Sequence, residues 1–328
     1  MVKFTVGIIG LGNIGMLYDY DKEDSVNFLS HTKSFFFHPD FDLRYLIDKD
    51  TNKLELAKKR YGTHVRLLSS IDGIKSYPDI IVLAASPEVN LKIFEKIKDK
   101  EEIKLFLIEK PFWDKRMEYD IYAKYSRKCV INYFRKYIPF FVDLKNKIKN
   151  NIFGKTLGVH VWYSKGLRNN GSHMIDFINY FFGPKYNVNT IKVINKINDY
   201  NDEDLSISFS IDYYYKNNKF PVILQVANEK CFSLIEFDLV FEKARYRIFN
   251  SGDKVEIYKV EKNPILQNYK NLVSKEIQIS NINKYGYYMC NYLSDLLTNK
   301  VDNISSLKNE YEVYKVICSV KGVLSKII

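Results

Sequence analysis

No apolar run in this chain approaches the roughly 20 residues that a membrane-spanning helix needs, so no membrane span is expected. Cysteine is scarce as well: Cys129, Cys231, Cys290 and Cys318 lie far apart, with no CxxC or Cys/His pairing that would suggest zinc. They read as reduced, partly buried thiols, and no metal site is expected. Internal repeats and low-complexity linkers are missing too. The opening residues, MVKFTVGIIGLGNIG, run straight into a strand and a glycine loop, which leaves nothing to spare as a removable signal and predicts a cytoplasmic location. Recognisable DNA- or RNA-binding motifs are lacking although Lys and Arg number 50 against 39 Asp and Glu, a net charge of +11. The lysines are scattered along helices and loops, so no nucleic-acid partner is expected; an anionic substrate would still profit from the field.

What is present is the composition of a folded protein. Of the 328 residues, 46% are hydrophobic and 27% charged, enough for two domains with their own cores. Val2 to Ile9 is a short β-branched run that reads as a buried parallel strand. It leads into Gly10-Leu11-Gly12-Asn13-Ile14-Gly15. In a dinucleotide fingerprint the first glycine makes the tight turn, the second lets the backbone approach the pyrophosphate, and the third lets helix and strand pack closely. The diphosphate then lies on amides at a helix N-terminus.

An acidic residue is expected at the end of the second strand, roughly 20 residues past the loop. Here that strand is Phe41 to Ile47, and Asp48 follows it, 33 residues after Gly15. The excess is accounted for if Met16 to Ser30, with its polar stretch Tyr18 to Ser25, is an insertion and the first helix resumes over His31 to Phe37. A carboxylate at Asp48 would bind ribose hydroxyls and repel a 2′-phosphate, which favours NAD; Lys49 offers a compensating cation that leaves NADP open. The competing reading is an aspartate that merely caps the Thr51 to Tyr61 helix. Strands at Asp79 to Ala85, Leu105 to Ile108 and Val130 to Tyr133, with helices at Glu88 to Lys98 and Phe140 to Lys149, predict a doubly wound parallel sheet. Its ligand edge gathers Gly10 to Gly15, Asp48, Ala85-Ser86-Pro87, Glu109-Lys110-Pro111 and Asn132.

These ordered motifs, together with Asn132-Tyr133-Phe134-Arg135-Lys136 and Gly171-Ser172-His173-Met174-Ile175-Asp176, resemble the glucose-fructose oxidoreductase, inositol dehydrogenase and rhizopine-catabolism (Gfo/Idh/MocA) group over nearly the whole chain. The resemblance implies an N-terminal Rossmann domain, assigned to 1–135. It also implies a C-terminal α+β domain with an open, mostly antiparallel sheet, assigned to 136–328, whose last helix is free to pack back on the first. It implies hydride transfer with NAD at a sugar or polyol carbon, and a homo-oligomer, dimer or tetramer. The group's EKP lysine corresponds to Lys110. A proline fixes its own φ and restrains the residue before it, so Lys110 is held extended where its ammonium can exchange a proton with a substrate hydroxyl. The competing reading is a surface lysine paired with Glu109.

The group's second catalytic motif is DxGxH. In this chain it reads Asn169-Asn170-Gly171-Ser172-His173, with asparagine where the aspartate is expected. An amide can orient a hydroxyl but carries no proton. His173 is intact and is the natural acid/base partner, against a buried structural histidine at the start of the Met174 to Phe182 helix. The preceding Trp162 to Arg168 is similar to relatives of surface-polysaccharide and unusual-sugar pathways. It adds Tyr163, Lys165 and Arg168 as substrate contacts, the two cations reading equally as solvated loop charges. An anionic sugar, a sugar phosphate or nucleotide-sugar, is the expected substrate. Two alternatives stay open: transient oxidation around an elimination on a glycoside, and a dinucleotide-binding module that has lost catalysis.

In the second half Leu205, Ile207, Phe209, Ile211 and Tyr213 alternate with Ser206, Ser208, Ser210 and Asp212, the pattern of a half-buried strand with one polar face. Val222 to Ala227, Phe232 to Phe241, Arg245 to Phe249 and Val255 to Val260 continue it. Tyr285 to Thr298 and Ser305 to Ile327 read as amphipathic helices.

Overall fold

The apolar runs of the first third become strands because each is short, rich in Val, Ile and Leu, and stopped by a residue that breaks the extended chain. In the computed structural model, which describes residues 3–22 and 26–326, these are β1 (Phe4–Ile9), β2 (Phe41–Ile47), β3 (Arg66–Leu68), β4 (Ile80–Leu83), β5 (Leu105–Ile108) and β6 (Cys129–Ile131). All pair in parallel, in the order β3-β2-β1-β4-β5-β6. Helices α1 (His31–Phe37), α2 (Thr51–Tyr61), α3 (Pro87–Ile97) and α4 (Tyr119–Ala123) lie between them. Val6, Ile8, Leu46, Ile80, Val82 and Leu107 are fully or almost fully buried. Each such side chain contributes roughly 1.5–3 kcal/mol on burial.

Where an insertion was expected, between the glycine loop and α1, there is a single tight turn at Leu17–Asp19 and no further helix among the described residues, so α1 begins at His31 and the glycine loop does not open directly into a helix as expected. Glu23, Asp24 and Ser25 of its polar stretch lie outside the described residues, as do Val2 of the first predicted strand and Ile327 of the last predicted helix.

The chain divides into two compact units, Met1–Tyr137 with Asn283–Tyr311, and Ile138–Ile282 with Glu312–Ile328. The second holds α5 (Pro139–Lys149), β7 (Thr156–Tyr163), α6 (Ser172–Phe182), β8 (Tyr186–Ile197), β9 (Ser206–Tyr215), β10 (Asn218–Val226), β11 (Ile235–Phe241), β12 (Ala244–Phe249), β13 (Lys254–Lys262) and β14 (Lys270–Ile279). These strands form one sheet in the order β14-β13-β12-β11-β7-β10-β9-β8, antiparallel throughout except where β7 pairs in parallel with β10. Then α7 (Tyr285–Leu297) adds Met289, Cys290 and Leu293 to the core of the first unit. The last helix, α8 (Leu307–Leu324), runs through the division at Tyr311. No helix among the described residues is long and apolar enough to cross a membrane.

One expectation about β9 is corrected. Ser206 and Ser208, assigned to a solvated face, are buried. Ser206 Oγ accepts from the Gly166 amide at 2.7 Å and Ser208 Oγ from the Val226 amide at 3.0 Å, so the polar face of this strand begins only at Ser210.

Candidate functional site

Three glycines of the first loop are needed for three different reasons. Gly10 has φ +95°, and a Cβ there would stand 2.6 Å from the backbone of Ala84 and Ala85. At Gly15 a Cβ would fall 2.0 Å from the Gly10 carbonyl oxygen. At Gly12 it would meet nothing within 4 Å, so the backbone here faces open space. Two glycines therefore let the chain pack on itself, and the third leaves room for a ligand.

Asp48, just past β2, is 9% exposed, and its Oδ2 accepts from the Leu11 amide at 2.7 Å. Its Oδ1 accepts from the Asp50 amide at 3.0 Å. The helix cap is a different residue: Asp50 accepts from the Asn52 amide at the start of α2, so the capping alternative for Asp48 does not hold. A cleft of about 490 Å³ opens here, lined by Gly10, Gly12, Asp48, Lys49, Ala85 and Ser86 among the predicted cofactor residues. Lys53, Ser69 and Ser70 line it too, with Ile9, Ile47, Ile71, Val89 and Ile93 as its apolar wall. The sequence reading missed Lys53, although its place in the first turn of α2 aims it back at Asp48. It also missed Asn90, which accepts from the Ala85 amide at 3.0 Å and donates to the carbonyls of Leu83 and Ala85, fixing the turn before Pro87.

Asn13 is exposed at the crest of the glycine loop. Ile14 and Gly15 turn their carbonyls to the amides of His31 and Thr32, both at 2.9 Å. Glu109 and Asn132 stand just past β5 and β6, and Asn132 Nδ2 donates to Glu109 Oε1 at 2.6 Å. Lys110 is half-buried, and its peptide bond to Pro111 is cis. Farther along, Arg135 is buried against the Phe134 ring, and burial lowers its guanidinium to about 10, which keeps it charged at neutral pH.

In the second unit β7 delivers a loop held from behind. Lys165 and Gly166 both have positive φ, 71° and 82°, and open a single π-helical turn, Gly166–Gly171, that runs into α6. Two buried acids hold its amides. Asp199 Oδ2 accepts from Lys165 N at 2.9 Å, while Asp204 accepts from Arg168 N at 2.7 Å and Asn169 N at 2.8 Å. Neither acid was legible as part of this site. Lys165, Arg168 and Asn169 are half-buried, and His173, the second residue of α6, is 8% exposed. Tyr163 corrects an expectation. It is fully buried, with its hydroxyl donating to the Ile207 carbonyl at 2.7 Å and accepting from the Ile207 amide at 2.9 Å, so it ties β7 to β9 and offers no exposed group to a substrate. Burial also pushes its phenol well above the ordinary range.

No family model and no curated protein matches this sequence. Solved structures do. A dehydrogenase from Chromobacterium violaceum superposes with a TM-score of 0.76 at 13% identity, covering 100% of this chain and 97% of that one. The WlbA dehydrogenase from Bordetella pertussis, in complex with NADH and UDP-GlcNAcA, gives 0.70 at 12% identity over 100% and 97%. A super-repressor mutant of Gal80p from Saccharomyces cerevisiae gives 0.71 at 12% identity over 98% and 97%. The six-stranded parallel sheet with its glycine loop and the eight-stranded mixed sheet thus belong to a fold that this chain shares with these solved structures.

Proposed function

We propose that this protein is an NAD-dependent oxidoreductase that moves a hydride between nicotinamide and a secondary hydroxyl or ketone of a sugar, in the form of a sugar phosphate or nucleotide-sugar of carbohydrate biosynthesis. The carrying observation is the cleft in which the open backbone at Gly12 and the carboxylate of Asp48 face the same space. That cradle fits a dinucleotide: the loop amides would hold the diphosphate and Asp48 the ribose hydroxyls. Nicotinamide, when bound, supplies the hydride acceptor or donor. Lys110 would take up the hydroxyl proton on oxidation and return it on reduction, and His173 is assigned the same kind of work. Lys165 and Arg168 would attract an anionic substrate, Arg168 with its planar fork. The NADH and UDP-sugar acid bound by the WlbA dehydrogenase support this substrate class.

A homo-oligomer in the cytoplasm is part of the same reading. The second reading, a binding module without catalysis, is favoured by Asn169 in the place of an aspartate. One experiment separates the two. The purified protein is incubated with a panel of nucleotide-sugars and sugar phosphates while nicotinamide absorbance is followed with NAD and with NADP. Turnover with at least one sugar is expected. Cofactor binding with no turnover across a broad panel would overturn the enzymatic reading.

A further inference from the structure

Lys110 stands just past the end of β5, where the sheet stops holding the chain. One residue earlier, the Glu109 amide donates to the Leu83 carbonyl at 2.9 Å and so continues the pairing of β5 with β4. One residue later, Pro111 has no amide to give. The next two amides, of Phe112 and Trp113, go to a single side-chain oxygen: Oε1 of Glu310 accepts them at 3.1 and 3.4 Å. Lys110 therefore lies on a stretch of backbone anchored to the sheet on one side and to Glu310 on the other.

Glu310 comes from the first turn of α8, 198 residues after Phe112 but in the same compact unit. It is 3% exposed, and its Oε2 is buried with no hydrogen-bond partner among the described residues. Burying an acid with one oxygen unsatisfied costs stability, and the positive end of the helix offsets only part of that. The surroundings are apolar: Phe112 and Trp113 are 1% exposed, and the Tyr311 ring lies 4.8 Å from that of Trp113. An apolar side chain would serve packing better here. What the carboxylate adds is a fixed place for two peptide groups. We propose that Glu310 is a positioning residue: by taking the Phe112 and Trp113 amides it fixes the backbone from which Lys110 presents its ammonium. The proposal rests on the proton-carrying role given to Lys110 above.

The parent is compared with Glu310→Gln, which keeps a carbonyl acceptor of the same reach, and Glu310→Leu, which keeps the bulk without one. Lysines are first acetylated with limiting acetic anhydride, and mass spectrometry follows Lys110 against Lys104, at the opposite end of β5; this needs no substrate. In Glu310→Leu the relative Lys110 rate should rise about three- to tenfold as the segment loosens, the worth of one net hydrogen bond in a local opening. Glu310→Gln should stay near the parent. With the sugar that turns over, kcat of Glu310→Leu should fall about 10- to 100-fold, the cost of a small misplacement, while NAD affinity stays within about twofold. If Glu310→Leu does not fold, Glu310→Asp, one methylene short, carries the test with the same changes expected. Parental Lys110 labelling in the variant, or a loss of NAD affinity in step with kcat as a merely structural change would give, overturns the proposal. So does a Glu310→Gln protein as damaged as Glu310→Leu. A parent that turns over no sugar removes the proton-carrying role of Lys110; the labelling then decides by itself whether Glu310 holds that residue in place.

Discussion

Lys53 holds its ammonium 3.5 Å from Oδ2 of Asp48, the same oxygen that receives the Leu11 amide. The end of the cleft expected to repel a 2′-phosphate therefore carries its own counter-charge, supplied from α2. NAD is still expected to bind more tightly than NADP, because Asp48 is nearly buried while Lys53 is 30% exposed and partly screened. Lys53→Met should leave NAD affinity close to that of the parent and weaken NADP by up to about fivefold, the range of a partly exposed ion pair. Parallel titrations check this. NADP binding as tight as NAD in the parent would take the ribose role away from Asp48.

Lys110→Met keeps the methylene stem and removes the nitrogen that carries the proton. Turnover on whichever sugar the panel identifies should fall by about 10²–10⁴, the usual size of a general acid/base contribution. NAD affinity and thermal stability should stay near those of the parent. A variant with more than a tenth of parental turnover would end the assignment.

His173→Ala and Asn169→Ala should differ in severity. Loss of a proton carrier removes about 10²–10⁴ in rate, whereas one neutral hydrogen bond is worth about 0.5–1.5 kcal/mol, or roughly tenfold at most. Steady-state kinetics of the two variants side by side decide it. Equal damage would mean that the Asn169 amide has a larger part in the chemistry than positioning.

A pH effect on stability is expected from Asp79, which ties the start of β4 to the start of β1. Its Oδ2 accepts from the amide and hydroxyl of Thr5 at 2.8 and 2.7 Å, and its Oδ1 meets Lys104 at 2.8 Å. Partial burial works against ionisation, but Lys104 and Thr5 prevail and hold the carboxyl below its ordinary 3.8. A depressed carboxylate contributes stability that is fully present above the unfolded value and is lost as pH falls through the folded one. Denaturant midpoints measured from neutral pH downward should therefore drop on the acid side. In Asp79→Asn that acid limb should be shallower, and an unchanged slope would show that the tie contributes nothing.

The sequence disclosed β1, β2, β4 and β5 because each is a short apolar run with a marked end, and α1 and α2 as the segments left on either side of β2. It did not disclose β8 or β14, which bury almost no side chain and so lack the alternation that burial on one face imposes. In β7 the buried positions Thr156, Val159, Val161 and Tyr163 do alternate in part, but only its last two residues, Trp162 and Tyr163, entered the sequence reading, as the start of a substrate-contact motif. At the site, contiguous motifs were visible, whereas Asp199 and Asp204 act on a loop more than thirty residues upstream. Nothing local in either aspartate announces that partnership. Tyr163 failed for the opposite reason, since its position beside a motif suggested a ligand contact that its buried hydroxyl cannot make.

The clamp grips the 165–169 segment by its peptide groups. Asp199 and Asp204 bind the main-chain amides of Lys165, Arg168 and Asn169. The path of the loop is thus separable from the chemistry it displays. Residues at 165, 168 and 169 could be exchanged for others, and so change what the loop displays, while the acids beneath them keep hold of its backbone. Asn169 is displayed from a backbone amide that Asp204 would grip in the same way whatever side chain stood there.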